Sequence, residues 1–206
     1  MRHKTAEAGC GDVAAARFRN VALILPYAAW MALMMILLHD APSYAWRVAA
    51  TLPLLVLSWF LLGCPCLRFP LRSLAWGAGV GVAMFFVWIA PEYLGFTTSD
   101  AGAGSPFDPK VCGWPLTVVR LFGSAFVIAA AEELFFRRWL MDFAGFWWMV
   151  ALFAIEHDRW AVGALAGAVY GLLALKKGLA SAIVAHVTTN LVLGLWVIWR
   201  GAWQFW

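Results

Sequence analysis

The chain has 206 residues, of which 64% are hydrophobic and only 13% are charged, and its formal net charge is +4. An ordinary soluble domain carries about 25% charged residues, so this composition excludes a soluble globular protein and indicates one embedded in a membrane. The basic residues form no run, which argues against a nucleic-acid partner. A spanning helix uses about 20 residues, so we expect a single all-α domain over residues 1–206, a polytopic transmembrane helical bundle of about seven segments.

The first three segments follow a polar and basic stretch, residues 1–20, which we expect to be cytoplasmic. Apolar runs at 21–38, 48–63 and 74–90 predict spans one to three. The first run is longer than the about 7 to 15 residues of a signal-peptide core, so it is interpreted as a retained helix. Residues 91–114 are rich in Gly, Pro, Ser, Thr and Asp and predict an extramembrane loop.

Residues 115–206 hold the remaining segments: one from Pro115, then 146–157, 160–175 and 179–199. The fifth segment has roughly a dozen residues and reaches only about 18 Å, which is too short for a hydrocarbon core of about 30 Å. We therefore expect it to end at depth. The distribution of Lys and Arg favours a cytoplasmic N-terminus and an outside C-terminus.

Two further patterns concern the glycine and cysteine residues. Gly163, Gly167 and Gly171 recur every four residues, which predicts a smooth face on the sixth helix for close helix contact. The cysteines are too few and too dispersed for a disulfide framework or a zinc site, and they are Cys10, Cys64, Cys66 and Cys112.

The fourth segment carries ionisable residues, which are costly inside a membrane and usually mark function. Glu132 and Glu133 are adjacent, and Arg137 follows Glu133 by four residues, so an ion pair between these two would lie on one helical face. Two carboxylates in an apolar setting cannot both ionise freely, which suits a general base acting on water. A purely structural ion-pair cluster is the alternative.

Histidine and asparagine occur in two later segments. His157 ends the fifth, with Phe153 one turn before it, and His186 and Asn190 lie one turn apart on the last helix. Both of the latter side chains can donate to a developing oxyanion, although an Asn at depth also serves as a contact between helices. A base, a histidine and a donor pair together provide for attack of water on an amide.

These motifs resemble a known family. Glu-Glu-x-x-x-Arg at 132–137, Phe-x-x-x-His at 153–157 and His-x-x-x-Asn at 186–190 are similar, in this order, to the signature of the CAAX prenyl protease and bacteriocin-processing (CPBP) family. The resemblance covers about the last ninety residues and implies an all-helical intramembrane glutamic-type endopeptidase. It implies Glu132 as the base on water with help from His157, with Glu133 and Arg137 orienting the site.

The same resemblance implies an oxyanion hole formed by His186 and Asn190, no cofactor and no metal. Hydropathy alone does not decide which carboxylate is the base. The reading also requires the fourth helix to continue through Arg137 towards Asp142, since otherwise Glu132 and His157 would lie at opposite ends of their helices. We expect that geometry.

A narrower similarity concerns partners. Glu-His-Asp-Arg-Trp at 156–160 and the loop elements Pro-Glu at 91–92 and Pro-Phe-Asp-Pro at 106–109 are similar to a bacterial branch associated with exosortase and PEP-CTERM sorting. This implies a membrane-associated protein or peptide substrate in the lipid bilayer, exosortase-system partners and a location in the bacterial inner membrane.

Three alternatives remain open at this point. A zinc metalloprotease would need three ligands, for which Glu132, His157 and His186 are candidates, although the chain lacks His-Glu-x-x-His. A proton-coupled membrane protein would use the same buried groups as a relay. A non-catalytic scaffold would use them only for stability.

Overall fold

The protein is described by a computed structural model that covers residues 3–62, 70–96 and 105–206, with side chains described from residue 17 onward. These residues form helices and no strands, which confirms the all-α prediction. The helices are α1 (His3–Ile36), α2 (Ala41–Leu61), α3 (Leu71–Tyr93), a single turn α4 (Pro109–Cys112), α5 (Trp114–Ala144), α6 (Phe146–Ile155), α7 (Trp160–Lys177) and α8 (Leu179–Arg200), followed by a 3-10 turn (Trp203–Phe205). Cys64 and Cys66 lie outside the described residues, and Cys112 is a half-buried free thiol.

Five of these segments are long and apolar enough to cross a membrane: Arg17–Ile36, α2, α3, α5 and α8. Helix α6 has only 10 residues, as its short apolar run predicted. Helix α7 has 18 residues and ends on Lys176 and Lys177. The chain is therefore an integral membrane protein built as a polytopic helical bundle.

The connection after α3 begins later than the sequence suggested. Pro91 and Glu92 belong to the last turn of α3, which continues to Tyr93. A proline lacks only its own amide donor, and a helix within a membrane protein tolerates that loss. Asp108 then caps α4 by accepting from the Lys110 amide at 2.8 Å.

Helix α5 is the central helix of the bundle and contacts most of the other helices. It runs for 31 residues without interruption, so it continues through Arg137 and Asp142 as predicted. Two stretches are π-helical, Gly123–Ile128 and Glu133–Leu140, and in the second the Met141 amide donates to the Phe136 carbonyl five residues earlier. Insertions of π-helix inside α-helices occur frequently at functional sites because they redirect the side chains that follow.

Glycines set two close helix contacts around α5. Gly81 of α3 faces α8, where an added Cβ would lie 2.5 Å from the Ala185 carbonyl oxygen. The predicted glycine face of α7 packs against α6, and a Cβ on Gly167 would lie 3.2 Å from Cδ1 of Phe153. The small residues allow these helices to approach closely and hold α6 and α8 beside the middle of α5.

Candidate active site

The two glutamates and the arginine of α5 lie in the protein interior. Glu133 is fully buried, Arg137 is 2% exposed and Glu132 is 7% exposed. They occupy the middle of α5, where α1, α6, α7 and α8 all pack against it. Charged side chains at such a position need partners, because an unpaired buried charge is strongly unfavourable.

Arg137 supplies one partner. Its Nη1 lies 3.1 Å from Oε1 of Glu133, and both side chains are excluded from solvent. The guanidinium also lies 4.0 Å from the centre of the Phe153 ring, which is within the range of a cation–π contact. The ion pair expected from the four-residue spacing is present within α5, and the contact of Arg137 with Phe153 joins α5 to α6.

His186 lies between the two carboxylates. Its Nδ1 is 2.8 Å from Oε1 of Glu133, and its Nε2 is 3.6 Å from Oε2 of Glu132. The Glu133 carboxylate can only accept a hydrogen bond, so Nδ1 of His186 carries the proton. Nε2 of His186 is then the nitrogen that faces Glu132. Glu132 and His186, 54 positions apart in sequence, therefore share one site.

Tyr170 and Thr189 hold the His186 ring in place. The ring of Tyr170 stacks on His186 with centroids 5.1 Å apart and an angle of 25°. Its hydroxyl donates to Oγ1 of Thr189 at 2.7 Å, and that hydroxyl lies 2.9 Å from the Gly81 carbonyl oxygen. Neither Tyr170 nor Thr189 belongs to a motif that would have identified it from the sequence.

His157 lies on the other side of Phe153. Its Nδ1 is 2.7 Å from the Phe153 carbonyl oxygen, which can only accept, so Nδ1 donates and Nε2 is the free nitrogen. The Phe153 ring centroid is 4.6 Å from that of His157 and 5.9 Å from that of His186. Within the described parts of the chain, no hydrogen bond or ion pair joins His157 to Glu132.

Asn190 is placed one turn beyond His186 on α8, as predicted. Its amide donates to the carbonyl oxygen of Ser124 at 2.9 Å, in the first π-helical stretch of α5. The hydrogen bonds and ion pairs of the described residues include none between Asn190 and either glutamate. One of the two amide hydrogens is thus used to position the side chain, and the other is not.

The turn between α6 and α7 lies outside the candidate spans and is fastened to α3. Nη2 of Arg159 is 2.8 Å from Oε2 of Glu92, and both side chains are 16% exposed. Burial lowers the pKa of His157 to about 4, so the ring is neutral at pH 7. Burial also raises the pKa of Glu156 to about 7. The structure thus places Arg159 in a contact that anchors the turn bearing His157.

The three-ligand zinc site considered above needs side chains that converge on one point. Among the residues that the structure describes, no three His, Cys, Asp or Glu side chains are arranged to hold a metal ion. His186 directs one nitrogen to each glutamate, while the Phe153 ring stands between His186 and His157. The donor set therefore does not fit a site formed by Glu132, His157 and His186.

These features define a class of protein: a helical membrane protein with a buried carboxylate–histidine site on α5. Residues 114–192 match the family model for type II CAAX prenyl endopeptidase Rce1-like proteins. This matched region contains all six candidate site residues and is similar to that family of endopeptidases. Comparisons with curated proteins and with solved structures give no match.

Proposed function

We propose that this protein is an intramembrane endopeptidase that hydrolyses a peptide bond of a membrane-associated protein with water activated by Glu132. The observation that carries the proposal is a buried series of contacts that runs from Arg137 through Glu133 and His186 to Glu132. At its end, one oxygen of Glu132 has no hydrogen-bond partner among the described residues. Oε2 of Glu132 is buried and accepts no hydrogen bond from the described residues. A base needs such a free oxygen within reach of the water that it deprotonates.

Glu133 and Arg137 serve as positioning residues in this proposal. Oε1 of Glu133 is held by both Arg137 and Nδ1 of His186, at 3.1 and 2.8 Å. These two contacts fix the position of the Glu133 carboxylate, and only its Oε2, like Oε2 of Glu132, lacks a hydrogen-bond partner among the described residues. Glu132, the less constrained of the two, is therefore assigned the proton transfer.

The reaction begins when Glu132 takes a proton from water and the resulting hydroxide attacks the carbonyl carbon of the substrate amide. The oxyanion of the tetrahedral intermediate is stabilised by donors aimed at it. Asn190 has its second amide hydrogen for this role, and His186, whose Nδ1–H is committed to Glu133, donates from Nε2 once that nitrogen is also protonated. Collapse of the intermediate breaks the C–N bond, and the leaving amine takes the proton from Glu132.

His157 assists from outside this chain of contacts. Its neutral ring has Nε2 free, and the rings of Phe153 and Trp88 flank it, the latter with a centroid distance of 5.4 Å. In this arrangement His157 accepts a hydrogen bond from the attacking water or from the substrate amide. This role requires the substrate to enter between α3 and α6, next to Trp88.

The substrate proposed is a membrane-anchored or sorting-signal protein in a bacterial inner membrane, with exosortase-system proteins as partners and the N-terminus of the enzyme in the cytoplasm. The support is the similarity of residues 156–160 and 106–109 to that branch, together with the excess of Lys and Arg in the segments assigned to the inside.

The experiment is a comparison of membrane-protein termini in cells that produce the wild type, Glu132→Gln or Asp142→Asn. Asp142 is an exposed acid on the same helix, and its only described ion pair is with Arg138 at the surface, which makes it a matched control. The proposal predicts a terminus that is present with wild type and Asp142→Asn and lost with Glu132→Gln. Identical termini in all three would refute proteolysis, and cleavage abolished by a strong chelator would favour the zinc alternative.

A further inference from the structure

A second group of buried charges lies away from the glutamates, where the first turns of α2 and α5 meet. Arg47 of α2 and Arg120 of α5 both stack on the ring of Tyr44, with guanidinium carbons 5.2 and 4.5 Å from its centroid. Arg120 also lies 4.8 Å from the centroid of Phe107 and 5.6 Å from that of Trp206. Two cations thus share one aromatic cage.

No acid neutralises this pair within the described residues. The ion pairs of that part of the chain include neither Arg47 nor Arg120. Asp40, the acid nearest to Arg47 along the chain, caps α2 by accepting from the Ser43 amide at 2.8 Å. Arg47 is nevertheless 4% exposed, so a cation has been buried with only aromatic faces around it.

Several donors in the same place also lack acceptors. Nε of Arg47, Nε of Arg120, the Tyr44 hydroxyl and Oγ1 of Thr51 are all buried, and within the described residues none has a hydrogen-bond partner. Thr51 follows Arg47 by one helical turn, which places both on the same face of α2. Aromatic rings attract a guanidinium, but they do not satisfy its N–H groups, and buried polar groups are rarely left unpaired.

The depth of the cage suggests what fills it. Arg47 and Arg120 each lie six residues after the first residue of a candidate span, Ala41 and Trp114, which is about 9 Å along each helix. Along α5, Arg120 precedes Glu132 by about 18 Å. Because Arg120 is only partly buried, the cage can be reached from outside the helical bundle.

We propose that Arg47, Arg120, Tyr44 and Thr51 bind a phosphate group near the end of the bundle where α2 and α5 begin, separate from the glutamate site. Guanidinium forks bind phosphate oxygens in a bidentate manner, and the two hydroxyls provide further donors. Tyr44 of α2 packs closely against the backbone of α5 at Gly123, where an added Cβ would lie 2.7 Å from Cε1 of Tyr44. Occupancy of the cage therefore stabilises the contact between α2 and α5.

The test measures thermal unfolding of the full-length protein, purified in detergent, with three probes at equal ionic strength: inorganic phosphate, phosphatidylglycerol in mixed micelles and, as the control lipid without phosphate, diacylglycerol in mixed micelles. At about 100 times its Kd, a ligand of the folded state should raise the midpoint by roughly 5–10 °C for a chain of this size. A shift with both phosphate and phosphatidylglycerol supports the site with the free anion as a ligand. A shift with phosphatidylglycerol alone supports it as a lipid headgroup site.

Variants connect the shift to the cage. Arg47→Gln combined with Arg120→Gln should abolish it, whereas Arg138→Gln, which removes an exposed cation of α5, should retain it. If the double variant does not fold, Arg120→Lys keeps the charge but loses the fork and should weaken the shift. No shift with any probe, an equal shift with diacylglycerol, or an unchanged shift in the cage variants would overturn the proposal.

Discussion

Replacing Arg137 with methionine tests whether the buried ion pair holds the candidate site together. The change removes the cation that lies 3.1 Å from Glu133 and 4.0 Å from the Phe153 ring centre, while a side chain of similar length still fills the space. Removing one partner of a fully buried pair typically costs about 3–5 kcal/mol, because the other charge is left uncompensated. At about 1.4 kcal/mol per factor of ten, the unfolding equilibrium constant rises by about two to almost four orders of magnitude.

The assay is equilibrium unfolding in mixed micelles, with Arg138→Met as the matched control on the next residue. Arg138 and Asp142 form an ion pair whose side chains are 47% and 59% exposed, and such a pair is worth at most about 1 kcal/mol. Arg137→Met combined with Glu133→Gln should recover part of the loss, since the stranded carboxylate is gone. Equal losses for Arg137→Met and Arg138→Met would refute the reasoning.

Three further predictions concern the surroundings of the site. Gly81→Ala should destabilise the protein by about 1–3 kcal/mol, because the added Cβ would lie 2.5 Å from a backbone carbonyl of α8, whereas Gly79→Ala, with nothing within 4 Å, should have little effect in the same unfolding assay. Tyr170→Phe should cost about 0.5–1.5 kcal/mol through the lost bond to Thr189, and a loss near zero would show that this hydroxyl is not needed. Asn190→Leu should lower kcat by about 10²- to 10³-fold with KM nearly unchanged, if this side chain donates to the oxyanion, and an unchanged kcat would remove it from that role.

Much of the fold could be predicted because membrane burial leaves a strong compositional signal. The shortness of the fifth apolar run indicated a short helix, and α6 spans only Phe146–Ile155, while the prediction that it ends at depth in the membrane stays a prediction. The pairing of Glu133 with Arg137 followed from their spacing alone. The end of α3 could not be predicted from the sequence, since Pro91 is typical of a loop although the helix continues past it.

The site was less accessible to sequence reasoning because its contacts depend on how separate helices face each other. The motifs placed Glu133 and His186 in one site, but the direction of each imidazole nitrogen depends on the π-helical stretch of α5 and on the close packing of α8 against Gly81. Tyr170, which stacks on His186, has no spacing relation to it that a sequence pattern could show. Arg120 was visible as an unusual charge in an apolar segment, but its convergence with Arg47 on one tyrosine ring required the structure.

The central claim is that Glu132 activates water for peptide hydrolysis. It is tested most directly with purified protein in detergent and a substrate peptide that spans the cleavage site found by the comparison of termini. The account predicts that wild type and Asp142→Asn cleave the peptide at equal rates in the presence of a strong chelator, and that Glu132→Gln, which keeps its fold by thermal unfolding, does not cleave it. A folded Glu132→Gln protein that cleaves at the wild-type rate would contradict the account.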